Sequence, residues 1–330
     1  MEVFEMCKDT NDNSCSDKSN LITSSTMFSE RHKDNPKTVD SGIKSILDRV
    51  STDNLRQYVT GLSDFHTRHS KSPLLDEVGN WIMTQFKGLG YNDTFYHFFE
   101  ATMDNEKFTL RNIICNKKGL NKKLIIVCAH YDCIMECEDD SNSRAPGAND
   151  NASGVSAIME IARVLAKERL QHSVQFVLFS GEEQQLLGSE SYARFIKDNK
   201  IDLYRLINLD MIGYPFFSPD TIIIERDNNK DPKHNRDKKN DVESIEFGEI
   251  IKDLASEMGL KYRLDSIYDS DYESFEENGY VVIGVYDGSA VKEKNPHYHS
   301  SSDLPEFINW KYLTSVTKLV LATILKVSKK

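Results

Sequence analysis

No apolar run in this 330-residue chain approaches the length of a membrane span. The N-terminus also lacks a basic stretch followed by an apolar one, so no secretory signal is visible. The cytoplasm is therefore the expected compartment, with secretion as the alternative. Basic residues are in the minority: 41 Lys and Arg face 52 Asp and Glu, a formal net charge of −11, with a pI near 5.4. That balance weighs against nucleic-acid or anionic-membrane partners, which would favour a basic face. Cysteine is scarce too. Six residues (Cys7, Cys15, Cys115, Cys128, Cys133 and Cys137) in so long a chain do not make a disulfide framework. Cys133 and Cys137 are near enough in sequence to pair under an oxidant; free thiols are expected. No internal repeat recurs, and no linker divides residues 41–330, so one domain is expected there.

What is present suffices for a large core, with 39% hydrophobic and 10% aromatic residues. Residues 1–40 are polar, rich in Ser, Asn, Asp and Lys, and read as a disordered leader. Ile43, Ile46, Leu47, Val50, Leu55, Tyr58 and Val59 predict one or two amphipathic helices. Leu75, Val78, Ile82, Met83 and Phe86 predict another, stopped near Gly88 and Gly90. Between them, 63–72 reads as a polar linker with His66 and His69 in solvent.

Short β-prone runs at 94–99 and 108–114 predict an edge hairpin. A strand at 124–129, a helix from Ser153, a strand at 174–180, a helix over 185–197 and a strand at 206–209 then alternate. Further strands are expected at 221–225 and 280–286, with helices spanning 245–258 and 310–327. Apolar runs alternating with amphipathic helices predict an α/β fold whose sheet is largely parallel and covered on both faces. Residues 227–243, rich in charge and Asn, read as a mobile surface insertion.

The stretch Pro146-Gly147-Ala148-Asn149-Asp150-Asn151-Ala152-Ser153-Gly154 joins a polar loop to the helix from Ser153. An Asp at such a place also serves as a plain helix cap, so Asp150 alone decides nothing. Other polar clusters follow predicted strands: His130-Tyr131-Asp132, Gly181-Glu182-Glu183 and Asn208-Leu209-Asp210-Met211. Ligands of open α/β sheets gather at the carboxyl ends of strands, where such groups converge. His297 and His299 lie in a loop before the last helix. Individually, a strand-end His can bond a carbonyl and a Glu pair can offset a helix dipole. Together, imidazoles and carboxylates make a mixed N/O set that suits Zn²⁺ and related divalent ions. No thiolate belongs to the set, which favours a hydrolytic site over a structural one.

The set His130-x-Asp132, Pro146 to Gly154, Gly181-Glu182-Glu183, Asn208 to Met211 and His299-Ser300-x-x-Asp303 resembles the M28 family of zinc aminopeptidases, such as the bacterial leucyl aminopeptidases. The likeness spans about residues 41–330, with the motifs in family order. It implies a single domain around a mixed, mostly parallel eight-stranded sheet with helices on both faces. It also implies two zinc ions. Asp150 would bridge both, His130 and Asp210 would complete one ion, and Glu183 and His299 the other. Asp132 would orient His130, Glu182 would act as general base toward a metal-activated water, and the Asp150–Asn151 peptide would be cis. Peptides with a free N-terminus would be the substrates.

The resemblance is imperfect at Ser270-Asp271-Tyr272, where many relatives have Ser-Asp-His shortly before a Phe. Glu136 to Asp140 adds an acidic segment near the site, suited to cationic N-termini or simply solvated. Two other readings compete. A glutaminyl-peptide cyclase would use a single zinc and keep the equivalents of Asp150, Glu183 and His299. A receptor-like relative would bind without catalysis. The joint presence of His130, Asp210 and Glu182 favours hydrolysis.

Overall fold

The strand Leu124–His130 shows why the sheet lies between two helical layers. All seven residues are buried. Ile125, Val127 and Ala129 join the larger apolar core, while Leu124, Ile126 and Cys128 point into the smaller one. A strand without a polar face must be covered on both sides. The computed structural model describes residues 39–135, 141–218, 221–228 and 232–328. Apart from residues 39 and 40, the expected leader lies outside them, as do Glu136 to Asp140, Cys7, Cys15 and Cys137.

The helices are α1 (Ser41–Leu47), α2 (Thr52–Ser63), α3 (Leu74–Gly88), α4 (Ser153–Leu165), α5 (Leu187–Asp198), α6 (Asp241–Glu257), α7 (Tyr272–Glu276) and α8 (Trp310–Val327). The strands are β1 (Thr94–Met103), β2 (Glu106–Lys117), β3 (Leu124–His130), β4 (Ser173–Phe179), β5 (Leu203–Leu209), β6 (Thr221–Arg226), β7 (Lys261–Ser266) and β8 (Val282–Tyr286). They form one eight-stranded sheet in the order β1-β2-β4-β3-β5-β8-β6-β7. β4, β3, β5 and β8 run parallel, β6 pairs with β7 in parallel, and β1, β2 and the β6–β8 pairing supply the antiparallel contacts. This is the mixed α/β architecture expected.

The larger core packs α2, α3, α4 and α8 on one face, and Tyr192, Ala193 and Ile196 of α5 with Phe275 of α7 fill the other. No helix among the described residues is long and apolar enough to cross a membrane.

Two expectations are corrected. The segment 63–72 is not a solvated linker: Thr67, Arg68, His69, Ser70 and Ser72 are buried, and His66 alone of the two histidines is exposed. Arg68 is the reason, because a buried guanidinium needs several acceptors and its neighbours fold around it. The insertion 227–243 is not wholly a surface loop either. Asp227, His234, Asn235 and Asn240 are buried, and Asp241 opens α6.

Candidate metal centre

The C-terminal ends of three adjacent parallel strands deliver the site. β3 ends on His130, β4 leads into Glu182 and Glu183, and β5 leads into Asp210. Asp150 comes from the turn before α4 and His299 from the loop before α8. The Asp150 carboxylate lies between the two imidazoles. Its Oδ1 is 3.3 Å from His130 Nε2, and its Oδ2 is 3.0 Å from His299 Nε2. The same His130 nitrogen is 3.3 Å from Asp210 Oδ1, and the His299 nitrogen is 3.1 Å from Glu183 Oε2. Two triads thus share one carboxylate: His130 with Asp150 and Asp210, and His299 with Asp150 and Glu183. A third group joins His130 to Glu182 and Glu183.

The bland reading of Asp150 does not survive this geometry. α4 starts at Ser153 with no side-chain cap on its N-cap residue, and it is Asn151 whose Oδ1 accepts the Gly154 amide at 3.0 Å. Asp150 and Asn151 have non-helical dihedrals, and the peptide between them is cis. Likewise Glu182 and Glu183 precede α5, whose first turn holds Glu190 instead.

Sequence dictates the turn. Gly147 sits at φ +51°, where a Cβ would lie 2.3 Å from the Asp150 carbonyl oxygen. A Cβ on Gly154 would lie 2.4 Å from Asn151 Oδ1. Asp303 holds the turn from outside, its carboxylate accepting the amides of Asn149 and Asp150 at 2.9–3.0 Å. Arg68, fully buried, donates to the carbonyls of Tyr131, Pro146 and Gly147. One guanidinium therefore ties the His130-x-Asp132 segment to the turn carrying Asp150. Arg68→Met is expected to destabilise the fold by about 3 kcal/mol, because buried carbonyls lose a charged donor. Urea unfolding measures it, and a loss below about 1 kcal/mol would show that water replaces the clamp.

Asp132 has more partners than the expected imidazole. Its carboxylate is 3.8 Å from His130 Nδ1, whose hydrogen-bond partner is the Asp132 backbone carbonyl at 3.2 Å. The carboxylate accepts instead from Ser70 Oγ at 3.1 Å and, more loosely, from the amides of Glu182 and Glu183 at 3.4 and 3.3 Å. It fixes the Glu pair as much as the imidazole.

Other residues fall outside the triads. His297 stacks on Phe307 with centroids 3.7 Å apart, and its Nδ1 lies 2.9 Å from Ser302 Oγ. Tyr272 is buried; its hydroxyl donates to Glu225 Oε2 at 3.0 Å and accepts the Tyr268 amide at 2.8 Å. Two contributors carried no role in the sequence. Ser270 Oγ donates to Asp210 Oδ2 at 2.7 Å and is itself held by Asn208 Nδ2. Tyr298 stacks on the His299 ring at 3.8 Å. Adjacency to a candidate ligand was the available signal for Tyr298.

The electrostatics fit a cation. Burial disfavours charge on His130, yet Glu182, Asp210 and Asp150 override it and raise its pKa well above the ordinary value. His299 is pushed up to about 10 by Glu183 and Asp150, again against burial. Asp150 moves the other way: hydrogen bonds from both imidazoles outweigh its burial and hold it below the usual carboxylate range. Glu182 is raised well above its ordinary value by burial first, then by the charges of Glu183, Asp210 and Asp271. Four carboxylates thus crowd two imidazoles, and Glu183 Oε1 is buried with no hydrogen-bond partner among the described residues. A cluster that recruits protons this strongly also recruits divalent cations, and its N/O donors with no sulfur match zinc or a related ion.

The model of peptidase family M28 matches residues 112–324, well over half the chain. A probable leucine aminopeptidase of Trichophyton verrucosum is 26% identical over 294 residues, covering 87% of this chain and 76% of the relative. A probable zinc metalloprotease of Pyrenophora tritici-repentis is 27% identical over 330 residues, covering 86% and 76%. Among solved structures, the LapA aminopeptidase of Legionella pneumophila shares the fold, with a TM-score of 0.72 at 22% identity over 91% of this chain and 78% of that one.

Proposed function

The chain belongs to peptidase family M28, and from that premise we propose that it is a two-zinc aminopeptidase that releases the N-terminal residue of peptides. One observation carries the reading: Asp150 turns one oxygen toward His130 and the other toward His299. A carboxylate placed so offsets the mutual repulsion of two cations, and each imidazole has its own second carboxylate, Asp210 or Glu183. Zinc bound by these residues would supply Lewis acidity toward the scissile carbonyl and lower the pKa of water.

The chain's own groups would do the rest. Glu182, half-buried beside Glu183, holds a proton more readily than an ordinary Glu. Such a base takes a proton from the attacking water and returns it to the leaving amine without leaving the site. Asp132 keeps the backbone of the Glu pair in register by accepting both amides. Ser270 orients Asp210, and the Tyr298 ring packs on His299.

The test pairs metal content per chain with product release from a panel of unblocked and N-acetylated peptides. Two zinc ions, stepwise N-terminal release and no cleavage of acetylated peptides are expected, with a chelator abolishing and added zinc restoring the rate. One zinc and ring closure of N-terminal Gln would establish the cyclase instead. A folded protein with neither metal nor turnover would leave binding as its function.

A further inference from the structure

The turn between β7 and α7 reaches the metal centre through one residue. Ser270 Oγ lies 2.8 Å from Asn208 Nδ2 and 2.7 Å from Asp210 Oδ2. The Asn208 amide turns its oxygen toward the Cys128 thiol at 3.3 Å, so its nitrogen faces Ser270. An amide nitrogen only donates and a hydroxyl carries a single proton, so the Ser270 proton goes to Asp210 Oδ2. That leaves Oδ1, the oxygen 3.3 Å from His130 Nε2, to face an ion. Where Ser270 stands therefore decides which Asp210 oxygen is available.

Side chains of α7 fix that position. Tyr268 and Asp269, the two residues before Ser270, are exposed, and Asp269 sits at φ +50°. A non-glycine residue keeps such a conformation where its surroundings impose it. Each of the two amides is held by a side chain four residues on. The Tyr268 amide donates to the Tyr272 hydroxyl at 2.8 Å, and the Asp269 amide to Glu273 Oε1 at 2.7 Å. Both holders are anchored. Tyr272 is buried and donates to Glu225 Oε2 of β6 at 3.0 Å. β8 makes room for that pair with Gly284, where a Cβ would lie 2.3 Å from Glu225 Oε2 and 2.5 Å from the Tyr272 ring. Glu273 also pairs with His234, buried in the 227–243 insertion. The turn is thereby bonded both to the sheet and to the insertion.

We propose that Tyr272 and Glu273 are positioning residues of the metal centre, holding the turn so that Ser270 seats Asp210 with Oδ1 toward the ion shared with His130. This role presupposes the two-zinc reading. Each residue acts through Ser270 and not on Asp210 directly. Groups that orient a ligand govern metal affinity by about 10- to 100-fold. Residues one step further out act on the same constant with a smaller effect. The second ion keeps its own set, Asp150, Glu183 and His299, which the turn does not carry.

The test measures zinc affinity, not turnover. The metal-free full-length chain is titrated with zinc against a chromophoric chelator, which gives a dissociation constant for each ion. Ser270→Ala identifies the constant that belongs to the Asp210 ion and should weaken it by about tenfold or more. Tyr272→Phe and Glu273→Ala are each expected to weaken that constant by about three- to tenfold and leave the other within about twofold. Glu273→Gln, which keeps an acceptor for the Asp269 amide, should restore it. In the Ser270→Ala background neither substitution should add more than about twofold, since the route to Asp210 is already cut. If Tyr272→Phe does not fold, the two Glu273 variants decide. Two ions whose constants Tyr272→Phe and Glu273→Ala leave unmoved would overturn the positioning role alone. So would effects that multiply with that of Ser270→Ala, the mark of a general loss of structure. A wild-type chain that binds no ion at the Asp210 triad would overturn the two-zinc reading along with it.

Discussion

Glu182→Gln is expected to keep two zinc ions per chain and the fold while lowering kcat by about 10³-fold, the usual scale for loss of a positioned base. The substitution preserves size and removes only the ability to accept a proton. The geometry makes the zinc measurement as important as the rate, because Glu182 also belongs to a group with His130 and Glu183 that is close enough to hold an ion. If Glu182 were a ligand, the variant would lose zinc and activity together. If it is the base, zinc stays and turnover goes. Both quantities should therefore be measured on one sample, and near-wild-type kcat with zinc retained would remove Glu182 from the chemistry.

The site was legible because its residues sit in short motifs directly after apolar strands. Their position after such strands places His130, Glu182, Glu183 and Asp210 on one edge of a parallel sheet. Asp150 and His299, from turns, were assigned through family resemblance, since nothing in local periodicity aims a side chain across a sheet. The central strands were equally plain, being unbroken apolar runs. β7 was not anticipated: Lys-Tyr-Arg-Leu-Asp-Ser has a half-buried, charged pattern that carries little strand signal and is fixed by pairing with β6.

The buried segment around Arg68 was missed for a different reason. Charged and polar residues read as solvated unless their acceptors are known, and the acceptors here are carbonyls 63 to 79 residues further on. The same blindness hides Asp227, which belongs to a charged stretch that reads as an exposed loop yet is buried. It also hides the second role of Asp132, whose carboxylate, beside the imidazole, accepts the backbone amides of the Glu pair.

Asp150→Asn is the sharpest test of the shared carboxylate. The variant should fold, because the turn is held by groups the change leaves alone. Asp303 accepts the amides of residues 149 and 150, and Asn151 donates to the Leu209 carbonyl at 2.9 Å. What disappears is the negative charge that turns one oxygen toward His130 and the other toward His299. An amide presents one oxygen and an NH₂ group, so only one imidazole can still share an ion with residue 150. Two cations held near each other without a bridging anion repel, and at least one is expected to leave on dialysis. Zinc should fall from two per chain to one or fewer. Activity should drop by about 10³-fold or more, since a metal ion supplies several kcal/mol of transition-state stabilisation. Metal analysis after dialysis, with circular dichroism on the same sample, separates this from unfolding. Two zinc ions retained by a folded Asp150→Asn protein would show that the triads do not depend on a common carboxylate.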